Sequence, residues 1–281
     1  MRLSAGTRNF LRAGVAITLA FIYIPLIVIA IYAFNGGNSL AWPPSSLTTE
    51  WFGNAIDNQG ARDALVTSIQ VGAVATAIAL LLGSLASFAV ARFSFFGRET
   101  ISFLVVLPIA LPGIVTGVAL SNTFTQVLGV DLSLLTVVAG HATFCIVVVY
   151  NNVIARLRRV SGNLEEASAD LGAHTWQTFR HVTLPNIQTA LVAGGLLAFA
   201  LSFDEIIVTN FTIGAGEETL PIWIFTNLFR PNNLPIVNVV AVLVVLLSII
   251  PVYLAHRLTR EEGVSARAGG AGAIAESTAI P

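Results

Sequence analysis

Apolar residues in this chain run in long unbroken stretches, not in the period of two or 3.6 that marks a half-buried strand or helix. Six stretches exceed the roughly 20 residues needed to cross about 30 Å of hydrocarbon: 13–34, 64–91, 101–125, 132–154, 187–211 and 235–256. The pattern predicts an all-α integral membrane protein with six transmembrane helices within 1–260. Residues 261–281 hold mostly small and polar side chains, which predicts a disordered tail. The first stretch follows Arg2, Arg8 and Arg12, but it is long for a signal sequence and no small-residue cleavage site follows, so it reads as a retained anchor.

The connections differ in character. Segment 35–63 carries Trp42-Pro43-Pro44 and Trp51-Phe52, which predicts short interfacial elements with aromatic anchors, or a surface for a soluble partner. Segment 212–234 holds Gly214, Gly216, Pro221 and Pro231 around an apolar patch at 222–225, consistent with a short helix on the interface. The loop at about 155–186 is polar and contains Glu165-Glu166-Ala167-Ser168-Ala169-Asp170-Leu171-Gly172.

Composition agrees with the spans: 55% of residues are apolar, 10% are charged, and the mean hydropathy is +0.81. A net charge of −1 argues against nucleic acid. All 14 basic residues are Arg. Without Lys there is no P-loop and no Schiff-base chemistry, so any ATP hydrolysis belongs to another chain. All of the arginines except Arg62 and Arg230 fall on one side of the six-span topology, which makes both termini and the 155–186 loop cytoplasmic by the positive-inside rule. Cys145 has no disulfide partner, and the four His residues form no metal or catalytic constellation; His174 and His181 flank a loop helix on a solvated face. No enzyme is read here.

Within the loop, a turn at 161–163 leads into a short helix with acids in its first turn, where the macrodipole favours them, and Gly172 ends it. A second helical segment is expected at 175–181, with Pro185 opening the fifth span. The small side chains on this helix suit close approach of another protein, and a partnerless interfacial hairpin fits the composition equally well.

Glu166-Ala167-Ser168, two residues, Leu171-Gly172, then twelve intervening residues and Pro185 resemble the EAA loop of ABC importer permeases, with Ser168 departing from the third position. The resemblance implies a type I permease fold. It also implies that Glu166, Ala167, Ser168, Leu171 and Gly172 couple the membrane domain to an ATP-binding subunit. A second set is similar to the spermidine/putrescine-type permeases: Leu201-Ser202-Phe203-Asp204-Glu205-Ile206, Phe211-Thr212-Ile213-Gly214, and Thr219-Leu220-Pro221. The likeness implies a bacterial inner-membrane importer of polyamines or a related small cation. Its partners would be a second permease in a hetero-pair, two ATP-binding subunits and an external substrate-binding protein. This chain itself would bind no cofactor, ATP and Mg²⁺ being held by the ATPase subunits.

Asp204 and Glu205 have physical meaning of their own. In a helix begun near Ile187, Asp204 lies roughly 25 Å along the span, where no Arg is available to pair with it. A carboxylate in hydrocarbon costs about 2.5–3.5 kcal/mol at the bilayer centre, so it faces a wet cavity or a partner. A polyammonium solute supplies the missing charge, with Phe203, Phe211 and Trp223 as cation–π surfaces. Adjacent helical positions point about 100° apart, so one acid faces the pore; Asp204 is the choice, leaving Glu205 to the sister subunit. Pairing or capping at an outer gate is the competing role. In the third span, Pro108, Pro112 and Gly113 predict a kinked or partly unwound helix at the gate, against a purely structural kink. Gly194-Gly195 reads as close helix packing, and Asn122, Gln126 and Asn210 as interfacial groups. A secondary transporter or channel working without an ATPase is the contrasting class, but no inverted repeat is visible.

Overall fold

The computed structural model describes residues 4–37, 42–44, 46–230, 233–249 and 253. Regular structure among them is helical, and the extended pairing is a bridge between Asn35 and Leu47. The helices are α1 (Ala5–Tyr32), α2 (Glu50–Asp57), α3 (Gln59–Arg92), α4 (Arg98–Ala110), α5 (Gly113–Asn122), α6 (Leu134–Leu157), α7 (Asn163–Asp170), α8 (Thr175–Thr178), α9 (Leu184–Phe203), α10 (Ile207–Thr212), α11 (Leu220–Leu228) and α12 (Leu234–Ile249). Four are long and apolar enough to cross a membrane: α1, α3, α6 and the continuous helix Thr175–Phe203. The broken pair Arg98–Ala110 and Gly113–Val127 makes a fifth if taken as one span. The sixth predicted stretch, 235–256, begins in α12; most of its last residues and the 261–281 tail lie outside the described residues.

The described residues form two compact units, one from Met1–Arg62 and Trp223–Ser248, the other from Asp63–Ile222 with what is described after Ile249. In the first unit, α1 opens with Ser4 accepting from the Thr7 amide, and its apolar side chains point outward along nearly its whole length. A short helix does occupy the aromatic segment: α2 sits where Trp51 Nε1 donates to the Asn35 carbonyl at 2.9 Å and Phe52 lies 4.9 Å from Phe34. Trp223 is buried against Gly60, where an added Cβ would lie 3.0 Å from the indole Nε1.

The second unit is built around α6, whose most apolar stretch is 61% buried against 28% for α3 and 17% for Thr175–Phe203. One face of α6 (Phe144, Cys145, Val149, Val153, Leu157) packs on Ile187 and Ala198 of α9. Another face (Tyr150, Ile154) packs on Val90 of α3 and on Val105 and Val106 of α4. Lipid is as apolar as these side chains, so association rests on tight packing and on polar contacts between helices. Glycines provide the first. A Cβ at Gly83 of α3 would meet the Ile146 carbonyl oxygen at 2.9 Å, and one at Gly194 would press on Asn152 and Val149 at 3.3–3.4 Å. Ser87 supplies the second, donating to the Gly83 and Tyr150 carbonyls.

Two helices depart from the sequence expectation. The expected kink at 108–113 is a full break in which the two pieces differ in direction by 106°. Pro112 disfavours a helical conformation at the residue before it, and here Leu111 takes φ −85°, ψ 142°. The fifth span does not begin at Pro185 either. Helix runs on from α8 through a π-turn at Phe179–Thr183, where the Leu184 amide bonds the Phe179 carbonyl five residues back. The wider turn makes room for the Pro185 ring and takes up its missing donor. Nor does this helix reach Phe211: it stops at Phe203, and a three-residue break at 204–206 precedes α10.

Candidate functional site

The loop after α6 folds as the short helix α7 and the opening turns of the continuous helix Thr175–Phe203, tied to the ends of α3 and α6. Glu165, in the first turn of α7, meets Arg92 at the last turn of α3, with Nη2 donating to Oε1 at 3.1 Å and Nε 3.0 Å from Oε2. Only the Nη2 contact is aligned as a hydrogen bond; Nε is close but misdirected. The same carboxylate accepts from the buried Thr183 hydroxyl at 3.0 Å, and Arg92 Nη1 reaches the Leu157 carbonyl at the end of α6 at 3.4 Å. Arg156 Nε donates to the Asn186 carbonyl at 2.7 Å, a further tie between α6 and α9.

Glu166 points the other way. It is exposed along with Ala167, Ala169 and Asp170, and beyond them Leu171 is 90% and Trp176 62% exposed. Gly172 adopts φ +86° with nothing within 4 Å of a notional Cβ, so the residue is required by backbone conformation and not by space. Ser168 differs from the sequence expectation: it turns inward to Thr178 at 3.0 Å, and Ala173 is half-buried, so the small exposed face is narrower than the composition suggested.

The second constellation surrounds the two helix breaks. α10 lies against α5 and α6, with Phe211 over Gly117, Ile207 beside Gly113, and Val208 and Thr212 beside Gly140. A Cβ at Gly117 would sit 2.7 Å from the Phe211 ring, so small residues are what lets the distal pieces of both broken helices meet. Thr136 Oγ1 donates to the Thr212 carbonyl at 2.6 Å. In the break itself Asp204 is exposed, whereas Glu205 caps α10 by accepting the Val208 amide at 2.8 Å. Phe203 pairs with Phe199 at 5.8 Å. Trp223 lies in the first unit, only 4% exposed.

A family model described as "Binding-protein-dependent transport system inner membrane component" matches residues 79–261. The chain belongs to that family. It is 32% identical over 231 residues to the putrescine transport system permease protein PotI of Escherichia coli (strain K12), covering 80% of this chain and 81% of the relative. It is 31% identical over 257 residues to the spermidine/putrescine transport system permease protein PotC of Haemophilus influenzae, covering 91% and 98%. Among solved structures, a bacterial ABC transporter involved in the import of the acidic polysaccharide alginate has a chain that aligns with TM-score 0.68 at 17% identity, covering 93% of this chain and 99% of that one. The MetNI methionine ABC transporter aligns with TM-score 0.57 at 21% identity, covering 72% and 94%. The resemblance read from the two sequence signatures is thus borne out: this is a membrane permease subunit of an ABC importer, and it resembles polyamine permeases.

In this importer permease the expected loop residues divide by direction, Glu166, Ala167, Leu171 and Gly172 outward and Ser168 inward. Of the expected pathway residues, Phe203, Asp204 and Glu205 lie at the α9–α10 break, and Phe211 lies farther along α10 against Gly117, beyond the α4–α5 break at Pro108, Pro112 and Gly113. Three residues escaped the sequence reading: Glu165 as an internal anchor, Arg92 as its partner, and His141. The imidazole of His141 is fully buried on α6, with Nδ1 2.7 Å from Ser202 Oγ and Nε2 2.8 Å from Thr209 Oγ1. A lone His inside an apolar stretch was the available signal, since such a group in a membrane segment needs partners.

Proposed function

We propose that this permease moves polyamines, or closely related small cations, inward across the bacterial inner membrane as half of a hetero-pair driven by two separate ATP-binding subunits and fed by an external substrate-binding protein. The observation that carries the reading is Asp204, an exposed carboxylate at a helix break in a chain whose relatives named above are putrescine and spermidine/putrescine permeases. Helix interruptions at membrane depth are tolerated where they line a cavity, and two of them adjoin here. In this reading the chain crosses six times with both termini cytoplasmic, α12 being part of the sixth span. α7 with Leu171 and Gly172 then docks on the ATPase, whose nucleotide and Mg²⁺ power the cycle. Asp204 faces the substrate, Glu205 shapes the break, and the 108–113 break forms part of the gate. Buried Trp223 has a packing role in place of the cation–π contact expected of it.

The test is reconstitution of the tagged chain with its co-purifying subunits in proteoliposomes, followed by ATP-dependent uptake of labelled putrescine and spermidine. Asp204→Asn is expected to abolish uptake while subunit recovery and basal ATPase activity stay unchanged. Undiminished uptake by that variant removes Asp204 from the pathway. Transport by the chain alone, without ATPase subunits, favours a secondary transporter.

A further inference from the structure

The break between α9 and α10 is bridged by a directed chain of hydrogen bonds that involves neither Asp204 nor the Glu205 carboxylate. Its terminus sets the direction. Thr209 Oγ1 donates to the Glu205 carbonyl at 2.8 Å, and a carbonyl can only accept. With its single proton committed there, the Thr209 hydroxyl accepts from His141 Nε2–H at 2.8 Å. A singly protonated ring then offers Nδ1 as acceptor to the Ser202 hydroxyl at 2.7 Å. The order is therefore Ser202 to His141 to Thr209 to Glu205, starting in the last turn of α9 and ending inside the break. All three side chains are buried, Ser202 at 3% exposure and the other two at 0%.

We infer that His141 is a positioning residue that fixes the geometry of the α9–α10 break and thereby the direction in which Asp204 is presented. A helix that stops at 203 frees backbone groups that lipid cannot satisfy. The Glu205 carbonyl is one of them, and it is satisfied by a hydroxyl that α6 holds in place. α6 is the most buried long helix, so the break is referenced to the most enclosed element of the unit. Each link is specific in length: the imidazole spans two hydroxyls seven positions apart that no direct contact joins across the break. Ile207, Val208 and Phe211 then carry α10 against Gly113, Gly140 and Gly117. Displacement of the staple therefore moves the contact with α5 as well.

The role in transport rests on the polyamine-import reading, so the experiment has one arm that does not. Thr209→Val removes the hydroxyl at nearly constant volume, Thr209→Ser keeps it, and Ser202→Ala is a milder cut at the other end should the valine variant fold poorly. In the purified complex, hydrogen exchange of the α10 amides is expected to speed up about tenfold in Thr209→Val, the effect of one lost hydrogen bond. Ser202→Ala should accelerate it less, and Thr209→Ser should match the wild type. In proteoliposomes the valine variant is expected to lose maximal uptake while its half-saturating putrescine concentration and subunit recovery stay unchanged. Equal exchange in the valine and serine variants overturns the staple whatever the solute. Faster exchange in the valine variant with full uptake overturns its functional role. Failure of the wild-type complex to move any polyamine counts against the substrate reading and leaves the exchange result to judge the staple.

Discussion

Glu165 and Glu166 are adjacent and chemically identical, yet the structure gives them opposite surroundings, which makes their comparison decisive. Glu165→Gln removes the charge facing Arg92 while keeping an acceptor for Nη2 and for Thr183. Both partners are partly buried, at 21% and 22% exposure. At an effective dielectric of about 20, unit charges about 4 Å apart attract by about 4 kcal/mol, and desolvation returns much of it. A charge-assisted hydrogen bond nets about 1.5–3 kcal/mol, so losing the charge but keeping the bond should cost about 1.5 kcal/mol. At about 2–4 °C per kcal/mol for a chain of this order of size, the thermal midpoint of the purified chain should fall by roughly 3–6 °C. Arg92→Gln should cost a similar amount, and the double variant little more than either single one, because the two changes break the same contact. Glu166→Gln should leave the midpoint unchanged and weaken recovery of the ATP-binding subunit. Equal midpoints for the two glutamine variants, or strict additivity of Glu165→Gln with Arg92→Gln, would refute the internal-anchor assignment.

Leu171, at 90% exposure, makes almost no contact within the chain, so Leu171→Asp is expected to preserve the thermal midpoint while sharply reducing co-purified ATPase; a destabilised chain would show that it packs internally. At Gly172 the conformation and not the space is limiting, so Gly172→Asn, which tolerates positive φ, should retain more ATPase binding and stability than Gly172→Val, with the difference about 1 kcal/mol or more on the stability side. Matching behaviour of the two variants in a paired thermal and pull-down measurement would contradict the left-handed requirement.

Hydropathy was enough to find the long helices because each is a local property of its own residues. The stretch 64–91 became Gln59–Arg92, extended at its polar start, and 132–154 became Leu134–Leu157, shifted by two to three residues at nearly the same length. Proline effects were legible in kind but not in size. Pro112 biases its predecessor away from the helix, as Leu111 shows, but the 106° between the two pieces goes with the packing of α5 on α10. Pro185 misled for the same reason, since a π-turn absorbed it where a helix start was expected.

Site residues followed the same division. Glu166, Leu171 and Gly172 stand in one contiguous motif, and their exposure and the left-handed backbone of Gly172 follow from a short helix and its end. Glu165 could not be told from Glu166 without Arg92, which lies 73 positions earlier. His141 likewise acquires meaning only from Ser202 and Thr209, 61 and 68 positions away. Membrane class, the lack of a P-loop lysine and the EAA-like motif thus rest on composition and short-range order, which unfolded and folded chains share. Which acid is exposed, which anchors the loop and what spans the broken helix depend on contacts between distant segments. Those contacts exist only once glycines let the helices approach and polar groups such as His141 have found their partners.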